Sequence, residues 1–324
     1  MPFDLLTVGE ALVEVMRTDI DQPLNRAGPF IGPYPSGAPF IFAVQAARLG
    51  LACAAVGSVG ADAFGHCLLD QLDEDQVNRV GVQMLAGKTT GVAFVAYNGD
   101  GSRNFVFSLG AGAELSPEML DPSLFEGLRC LHLMGSTLSL SPQALATGRA
   151  ALALAQNSGA KFSFDPNLRP ELMPREQARE AFAPFIAAAD VFMPTAQELL
   201  YLTNVPSLEA GVSSLMQQNP KRLIVVTQGA DGCTIYDENG AEHGAGFSVE
   251  EIDPTGAGDC FDAGFLAGWL AGESPIQAAK LANACGALAV TQQGPMAGAE
   301  KYERVQTFMA QQDPSGYKDQ IRKT

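Results

Sequence analysis

Short apolar or β-branched segments alternate along this chain with longer segments of helical pattern, and this alternation constrains the fold most strongly. The predicted strands are residues 3–9, 52–59, 129–134, 160–165, 190–193 and 222–227. The predicted helices are residues 38–49, 63–74, 142–158, 175–188, 196–203 and 207–218. Repeated strand–helix units need right-handed crossovers, so the sequence predicts an α/β fold with a mostly parallel central sheet and helices on both faces.

Two stretches interrupt this alternation. Residues 13–35 are rich in Pro and Gly, and residues 89–109 hold two strand-like runs around Asn98-Gly99-Asp100-Gly101, a strong hairpin signal. We interpret residues 11–33 and 89–108 as a small β-lid that protrudes from a core of residues 1–10, 34–88 and 109–324. An ordinary hairpin at the edge of the main sheet is the alternative interpretation.

The last third of the chain follows a different order. A strand at 222–227 leads to a glycine-containing turn and then to two predicted strands, 233–236 and 247–252. A Gly-rich loop follows, and then two helices, 259–271 and 275–291. Because these helices are apolar on most sides, they are predicted to be buried against the sheet.

Charge and cysteine usage exclude several classes of protein. The chain has 20 Lys and Arg against 36 Asp and Glu, a net charge of −16, so nucleic acid is not an expected partner. No apolar run approaches the ~20 residues of a membrane helix, and the N-terminus lacks a basic signal-peptide region. Six scattered cysteines without a C-x-x-C pair predict reduced thiols in a cytoplasmic protein.

The segment Asp253-Pro254-Thr255-Gly256-Ala257-Gly258-Asp259 carries the strongest chemical signal. It lies between a predicted strand and a predicted helix, where successive backbone N–H groups of Gly256, Ala257 and Gly258 can form an anion site. Asp259 adds a carboxylate beside that site, which would repel a phosphate that is merely bound. The arrangement fits a carboxylate that takes a proton from a hydroxyl group attacking the phosphate.

Other interpretations of this glycine pattern are weaker. A P-loop needs Lys after its last glycine, and the one segment with that spacing, residues 60–65, is followed by His66. In a dinucleotide fingerprint the third glycine would fall at Phe261. A tight turn with Asp259 as a helix cap remains the structural alternative for the bare motif.

Several motifs together resemble the PfkB/ribokinase family of carbohydrate kinases. Residues 253–262 are similar to the family's C-terminal signature, and Ser36-Gly37-Ala38-Pro39 resembles its G-G-A-P element. Residues 59–65, 164–169 and 227–232 resemble the V-G-x-D-x-F-G, F-D-P-N-L-R and T-x-G-x-x-G elements. The resemblance covers nearly the whole chain and implies a ribokinase-like α/β core with a β-lid.

The resemblance assigns ATP and Mg²⁺ as cofactors. It implies that Asp259 is the catalytic base and that the N–H groups of Gly256, Ala257 and Gly258 stabilise the transferred phosphoryl group. Glu198 would hold Mg²⁺ through water, although Thr195 replaces the usual Asn and a surface-helix Glu is the alternative. The nucleotide residues implied are Thr227, Gly229, Gly232 and, near the adenine, Asn283. Asp253 resembles a residue of the family's K⁺ site.

The same resemblance implies a sugar-binding wall. Its residues are Glu14, where many members have Asp, Gly37, Arg103 on the lid, Asn167 and Arg169; a solvent-exposed role is the alternative for Arg103. Two positions near the sugar-binding wall also depart from the family pattern, since Ser36 replaces the first Gly of G-G-A-P and Ile41 replaces an Asn. The combined segments 9–16 and 32–39 resemble bacterial tagatose kinases more than typical fructokinases.

These observations predict ATP-dependent phosphorylation of a hydroxymethyl group on a small-molecule sugar, a ketose such as tagatose or fructose, or a sugar acid. A nucleoside kinase is the alternative among enzymes, and a non-catalytic sugar- or nucleotide-sensing protein of the same fold is the alternative outside them. The exposed strand edge of the β-lid further predicts a homodimer.

Overall fold

The structure, a computed structural model, describes residues 2–312. The strands are β1 (Leu5–Val8), β2 (Leu12–Arg17), β3 (Phe30–Ser36), β4 (Cys53–Gly60), β5 (Asn78–Leu85), β6 (Gly91–Tyr97), β7 (Arg103–Ser108), β8 (Cys130–Met134), β9 (Lys161–Asp165), β10 (Val191–Phe192), β11 (Leu223–Thr227), β12 (Gly232–Asp237) and β13 (Gly240–Ala245). The α-helices are α1 (Ala38–Arg48), α2 (Ala63–Glu74), α3 (Gly135–Leu138), α4 (Pro142–Ser158), α5 (Arg175–Ala188), α6 (Ala196–Thr203), α7 (Leu208–Gln218), α8 (Ala257–Leu270), α9 (Pro275–Ala289) and α10 (Tyr302–Gln312).

Nine of these strands form one sheet in the order β13-β12-β11-β10-β9-β8-β1-β4-β5. All neighbouring pairs from β11 to β5 are parallel, and β12 and β13 add an antiparallel edge. The predicted α/β fold with a mostly parallel sheet is therefore confirmed. Because parallel strands end on the same side, the loops after β1, β8, β9 and β11 converge on one edge of the sheet, where open α/β sheets bind ligands.

Apolar side chains bury both faces of the sheet. Alternate residues of one strand point to opposite faces, so Leu6 packs with the residues of α4, α5 and α7, whereas Leu5 packs with those of α1, α8 and α9. Helices α8 and α9 are buried along most of their length, as their apolar sequences predict. None of the helices in residues 2–312 is long and apolar enough to cross a membrane.

The remaining four strands form a second sheet in the order β3-β2-β6-β7. Its central pair, β2 and β6, is parallel, and the two outer pairs are antiparallel. The hairpin predicted around residues 98–101 joins β6 to β7, and this sheet is the lid. Strand β3 runs on to Ser36, past the predicted lid boundary at residue 33.

The predicted strand at 247–252 is wrong. Strand β12 turns back within two residues and pairs from Asp237 with Gly240, so the second strand is Gly240–Ala245. In the segment that follows, the ring of Phe247 instead packs at 5.2 Å from that of Phe308. The apolar side chain of Phe247 thus packs against a helix, and the partly alternating sequence of residues 247–252 does not form a strand.

Candidate active site

One cavity of about 390 Å³ lies between the carboxyl ends of the parallel strands and the lid. The sequence-predicted residues that line it are Glu14, Gly37, Arg103, Asn167, Arg169, Glu198, Thr227, Gly256, Ala257, Gly258 and Asp259. The predicted residues outside its lining are Gly229, Gly232, Asp253 and Asn283. The fold therefore brings the sugar-side residues, the metal candidate and the Gly-rich loop to one place.

Helix α8 begins at this cavity. Its N-cap, Gly256, has φ +84°, and a Cβ there would stand 2.4 Å from the carbonyl oxygen of Pro295. Any other residue would be strained at this position. The first N–H groups of a helix have no partner within it. No hydrogen bond within the described residues engages the amides of Ala257, Gly258 or Asp259. These amides are available to an anion in the cavity.

Asp259 lies on the first turn of α8 and is only 7% exposed. Burial raises the pKa of its carboxyl to about 7, and the positive charge of Arg169 opposes that shift. Its Oδ1 lies 3.5 Å from the side-chain amide of Asn167. A carboxylate with a pKa near neutrality, beside a group of free amides, has the properties of a general base.

The loop after β9 positions Asn167. The N–H of Asn167 donates to Oδ1 of Asp165 over 2.9 Å, which closes a short turn, and Asn167 takes a φ of +34° there. The next N–H, that of Leu168, donates to Oε1 of Glu198 over 2.8 Å. The segment is therefore fixed at both ends by carboxylates.

Glu198 is held by the start of α6. Its Oε2 accepts from both the N–H and the hydroxyl of Thr195, each at 2.8 Å, while the Thr195 hydroxyl accepts from the N–H of Glu198, forming a capping box. Thr195, which replaces the family's Asn, thus fixes the carboxylate directly. Oε1 retains acceptor capacity toward the cavity.

The donor set fits a water-mediated Mg²⁺. Asp165 and Glu198 supply hard carboxylate oxygens at the cavity wall. In the described part of the chain, no three acidic, His or Cys side chains form a direct metal cage. Mg²⁺ commonly keeps several waters and binds one or two carboxylates together with substrate phosphates, and this wall suits that mode.

Two buried acids that line the cavity together with Asp259 are absent from the sequence-predicted site residues. These are Asp165 and Asp262, and burial together with neighbouring carboxylates raises the pKa of both well above the usual range. Oδ2 of Asp262 lies 3.7 Å from the buried His132, whose pKa burial lowers to about 3. The spacing of Asp259 and Asp262, three residues apart in a helix, was the available signal.

Two further acids form the sugar-side wall. Glu10, which the sequence reasoning also missed, is buried and accepts from the hydroxyls of Ser136 and Thr137. Glu14 is buried on β2 and accepts from Ser36 at 2.7 Å. Burial raises the pKa of Glu14 to about 7 and also raises that of Glu10. A charged residue two positions after the end of apolar strand β1 was the signal for Glu10.

The lid is joined to the Gly-rich loop by side-chain hydrogen bonds. The hydroxyl of Tyr97 donates to Oδ1 of Asp253 over 2.8 Å, and Nη1 of Arg103 donates to the hydroxyl of Thr255 over 3.1 Å. Asp253 also accepts from the N–H groups of Thr255 and Gly294. Arg103 therefore faces the cavity rather than solvent.

The predicted nucleotide residues divide into two groups. Thr227 ends β11 at the cavity, whereas Gly229 and Gly232 form the turn into β12, both with positive φ. The side-chain amide of Asn283 donates to the carbonyls of Gly244 and Ala245, at 3.0 and 3.2 Å. Asn283 thereby joins α9 to β13, and its place near the adenine stays a prediction.

The fold and the site together define a phosphotransferase that acts on a small molecule. The parallel sheet ends at unbonded helix amides, which lie beside a buried carboxylate of raised pKa in a polar pocket under the lid. Comparison with known families agrees, because the model of the pfkB family carbohydrate kinases matches residues 3–301. The chain belongs to this family and is a carbohydrate kinase.

Two curated relatives show the same relationship. The chain is 34% identical over 300 residues to Fructokinase-1 of Oryza sativa subsp. japonica, covering 90% of this chain and 92% of the relative. It is 35% identical over 299 residues to a protein named Probable fructokinase-6, chloroplastic, of Arabidopsis thaliana, covering 88% of this chain and 77% of the relative. Both relatives are named as sugar kinases.

Solved structures are similar over nearly the whole chain. An E. coli protein described as a ribokinase II, in complex with ATP and Mg²⁺, has a TM-score of 0.90 at 35% identity, covering 95% of this chain and 99% of that one. A double mutant of fructokinase from Vibrio cholerae O395, bound to fructose, ADP and potassium, has a TM-score of 0.82 at 30% identity, with 95% and 99% covered. These matches confirm the ribokinase-like fold.

Proposed function

We propose that this kinase transfers the γ-phosphoryl group of ATP to a hydroxymethyl group of a ketose or a sugar acid, with fructose and tagatose as the first candidates. One observation supports this most directly: the carboxylate of Asp259 stands beside unbonded helix amides in a cavity whose opposite wall is polar. The fructokinase relatives and the fructose-bound neighbour support a ketose acceptor.

In the proposed mechanism, Asp259 accepts the proton of the attacking hydroxyl. The amides of Ala257, Gly258 and Asp259 then donate to the oxygens of the transferred phosphoryl group, where negative charge must be stabilised. The lid residues Arg103 and Tyr97 connect the lid sheet to the loop that carries these groups. Lid closure would exclude water from the reaction.

Glu198 and Asp165 are the proposed partners of Mg²⁺ through water. Bound Mg²⁺ supplies positive charge to the phosphates, a role that this acidic protein needs because its net charge is −16. Thr195 contributes by fixing the Glu198 carboxylate toward the cavity. The Mg²⁺-bound neighbour supports this assignment.

Asp253 is the proposed monovalent-cation residue. Its Oδ2 accepts only from the N–H of Gly294 among residues 2–312, so this buried oxygen keeps acceptor capacity beside the Gly-rich loop. The potassium-bound fructokinase supports K⁺ as the ion. Equal rates in K⁺ and in a large organic cation would remove this part of the proposal.

An ADP-release screen over ketoses, sugar acids and nucleosides, each with and without K⁺, tests the function. The proposal expects turnover with at least one ketose or sugar acid and a phosphorylated hydroxymethyl group in the product. Preferential turnover of a nucleoside would replace the proposed acceptor with the alternative one. Sugar binding without any ATP turnover across the panel would indicate a sensing protein.

We further propose a homodimer formed through the lid. Strands β3 and β7 are the edges of the lid sheet, and Phe30 and Val106 on them are 39% and 52% exposed. Unpaired strand edges with apolar side chains are suited to pairing with a second copy. Light scattering should report a dimer for the parent protein and a monomer for Val106→Asp; a monomeric parent would contradict the proposal.

The six cysteines support a cytoplasmic location. All six are free thiols, and five of them are buried. Proteins of oxidising compartments commonly pair their cysteines, whereas cytosolic proteins keep them reduced.

A further inference from the structure

Glu14 leaves one buried oxygen without a partner at the cavity. Its Oε1 accepts from the hydroxyl of Ser36, but its Oε2 finds no hydrogen-bond partner anywhere in residues 2–312. Glu14 is 5% exposed and lines the cavity. A buried carboxylate oxygen without a donor is costly, so its persistence indicates that a ligand supplies the donor.

The local backbone places Ser36 diagonally across the β2–β3 pair from Glu14. Strand β3 runs antiparallel to β2, and Glu14 lies across from Tyr34 while Leu12 lies across from Ser36. The chain then turns at Gly37, which has φ +102° and whose Cβ would stand 2.3 Å from the carbonyl of Glu10. Ser36 is 2% exposed, so its hydroxyl is directed at Glu14 within a rigid, buried corner.

The neighbouring departure from the family pattern removes a competing polar contact. Ile41, where the family has Asn, is 2% exposed and lines the same cavity. Its Cγ2 lies 3.2 Å from the position that a Cβ of Gly256 would occupy, so it packs behind the Gly-rich loop. An isoleucine cannot accept from or donate to a sugar hydroxyl. Both carboxylate oxygens of Glu10, on the same wall, already accept from Ser136 and Thr137, so the unengaged carboxylate oxygen of this wall is Oε2 of Glu14.

We propose that Ser36 is a specificity-determining positioning residue, which holds Glu14 so that its Oε2 accepts a hydrogen bond from one hydroxyl of the sugar. The inference rests on the proposed function, because it assumes a sugar in this cavity. The glutamate is one methylene longer than the aspartate of many family members, and the Ser36 hydroxyl removes the added freedom. The preferred substrates are therefore sugars that carry a hydroxyl group facing Oε2 of Glu14. The analogue that lacks this hydroxyl group should be a much poorer substrate.

The test compares variants with a panel of singly deoxygenated analogues of the turned-over sugar. In the parent enzyme one analogue should show a much larger loss of kcat/KM than the others. Ser36→Ala should raise the KM for the sugar about tenfold, change kcat and the KM for ATP less than about twofold, and reduce that analogue's penalty. Ser36→Thr keeps the hydroxyl and should retain the parent's selectivity.

Ser58→Ala is the matched control. Ser58 is also a fully buried serine, and its hydroxyl donates to the carbonyl of Glu114 over 2.8 Å outside the cavity. Ser58→Ala should change the melting temperature but should leave unchanged both the KM for the sugar and the loss of kcat/KM with the deoxy analogue. Equal changes in both variants would assign Ser36 a structural role only and overturn the proposal.

Glu14→Gln provides a second route if Ser36→Ala fails to fold. Glu14→Gln should reduce the loss of kcat/KM that the same deoxy analogue shows in the parent. The double variant Ser36→Ala/Glu14→Gln should have nearly the same KM for the sugar as Glu14→Gln alone. Unchanged penalties in Glu14→Gln would overturn the proposal. If the parent phosphorylates no sugar, the proposed function fails, and calorimetric binding of sugars to the free protein then tests the role of Ser36 by the same comparison.

Discussion

The side-chain amide of Asn167 lies 3.5 Å from the carboxylate of Asp259, although the two residues are 92 positions apart in the chain. This contact joins the loop after β9 to the start of α8. Because the carboxylate is buried and its N–H neighbours are unbonded, the pair defines where an attacking hydroxyl and a phosphoryl group would meet.

Asp259→Asn tests the general base. The amide keeps the shape of the side chain but cannot accept a proton, so turnover should fall by about 10³-fold or more while sugar affinity stays within a few-fold. Steady-state rates and calorimetric sugar binding measure the two effects. A variant within about tenfold of the parent rate would refute the assignment.

The pH dependence of kcat/KM should show an acid limb near pH 7. Burial raises the pKa of Asp259 and of Glu14 to about 7, so both are ionised above this pH and become protonated below it. If both must be ionised, the slope of log kcat/KM below pH 6 approaches about two, and in Glu14→Gln it approaches about one. A profile that stays flat down to pH 5 would contradict both roles.

Asp259→Asn should also stabilise the protein, and more strongly at high pH. Because folding raises the pKa of Asp259, the folded state holds a proton that the unfolded state loses between pH 4 and pH 7, so this group's contribution to stability decreases across that window. The Asn variant does not bury an ionisable group at this position, so it does not lose stability as the pH rises through this window. Its gain in melting temperature over the parent should therefore be larger at pH 8 than at pH 5; equal gains would indicate that Asp259 is not a strained buried acid.

The sequence predicts the elements with clear periodicity and fails where packing decides. Helix α2 was predicted with its observed bounds, because Asp62 caps it and apolar residues recur along it. Edge strand β5 (Asn78–Leu85) was missed, since none of its residues is fully buried and it carries Asn, Arg and Gly. Helix α10 was missed as well, because only Val305 and Phe308 bury against the core.

Candidate-site residues follow the same division. The Gly-rich loop is contiguous, so sequence alone singles out Asp259. Ser36 and Asp165 each gain their place only when distant strands meet. The hydroxyl of Ser36 reaches a residue 22 positions away, and Asp165 lines the same cavity as Asp262, which lies in a helix near the other end of the chain. Patterns in the sequence cannot predict these contacts, because they depend on how distant segments pack together.

Glu198→Gln tests the proposed Mg²⁺ partner. The amide keeps one acceptor oxygen but loses the charge, so the Mg²⁺ concentration for half-maximal rate should rise by about tenfold or more. Mg²⁺ titrations at fixed ATP measure this change. Ser141→Ala, which removes the cap of α4 by deleting an acceptor 3.0 Å from the N–H of Ala144, is the control for loss of a helix cap. Equal Mg²⁺ requirements in both variants would exclude Glu198.

Replacing Gly256 or Gly258 of the anion site by alanine should distinguish an effect on protein stability from an effect on catalysis. At Gly256 the backbone has φ +84° and an added Cβ would stand 2.4 Å from the carbonyl of Pro295, so Gly256→Ala should lower both stability and activity. At Gly258 a Cβ would meet no protein atom within 4 Å, and the residue lines the cavity. Gly258→Ala should therefore keep the parent's melting temperature, because alanine also favours the helix.

The activity of Gly258→Ala distinguishes the proposed anion site from an ordinary helix start. The new methyl group would occupy space where the phosphoryl group must approach the amides, so kcat/KM should fall by about 10²-fold or more with the KM for the sugar little changed. Thermal melting and steady-state rates on the same preparations check both halves of the prediction. A fully active Gly258→Ala enzyme would place the phosphoryl group elsewhere in the cavity.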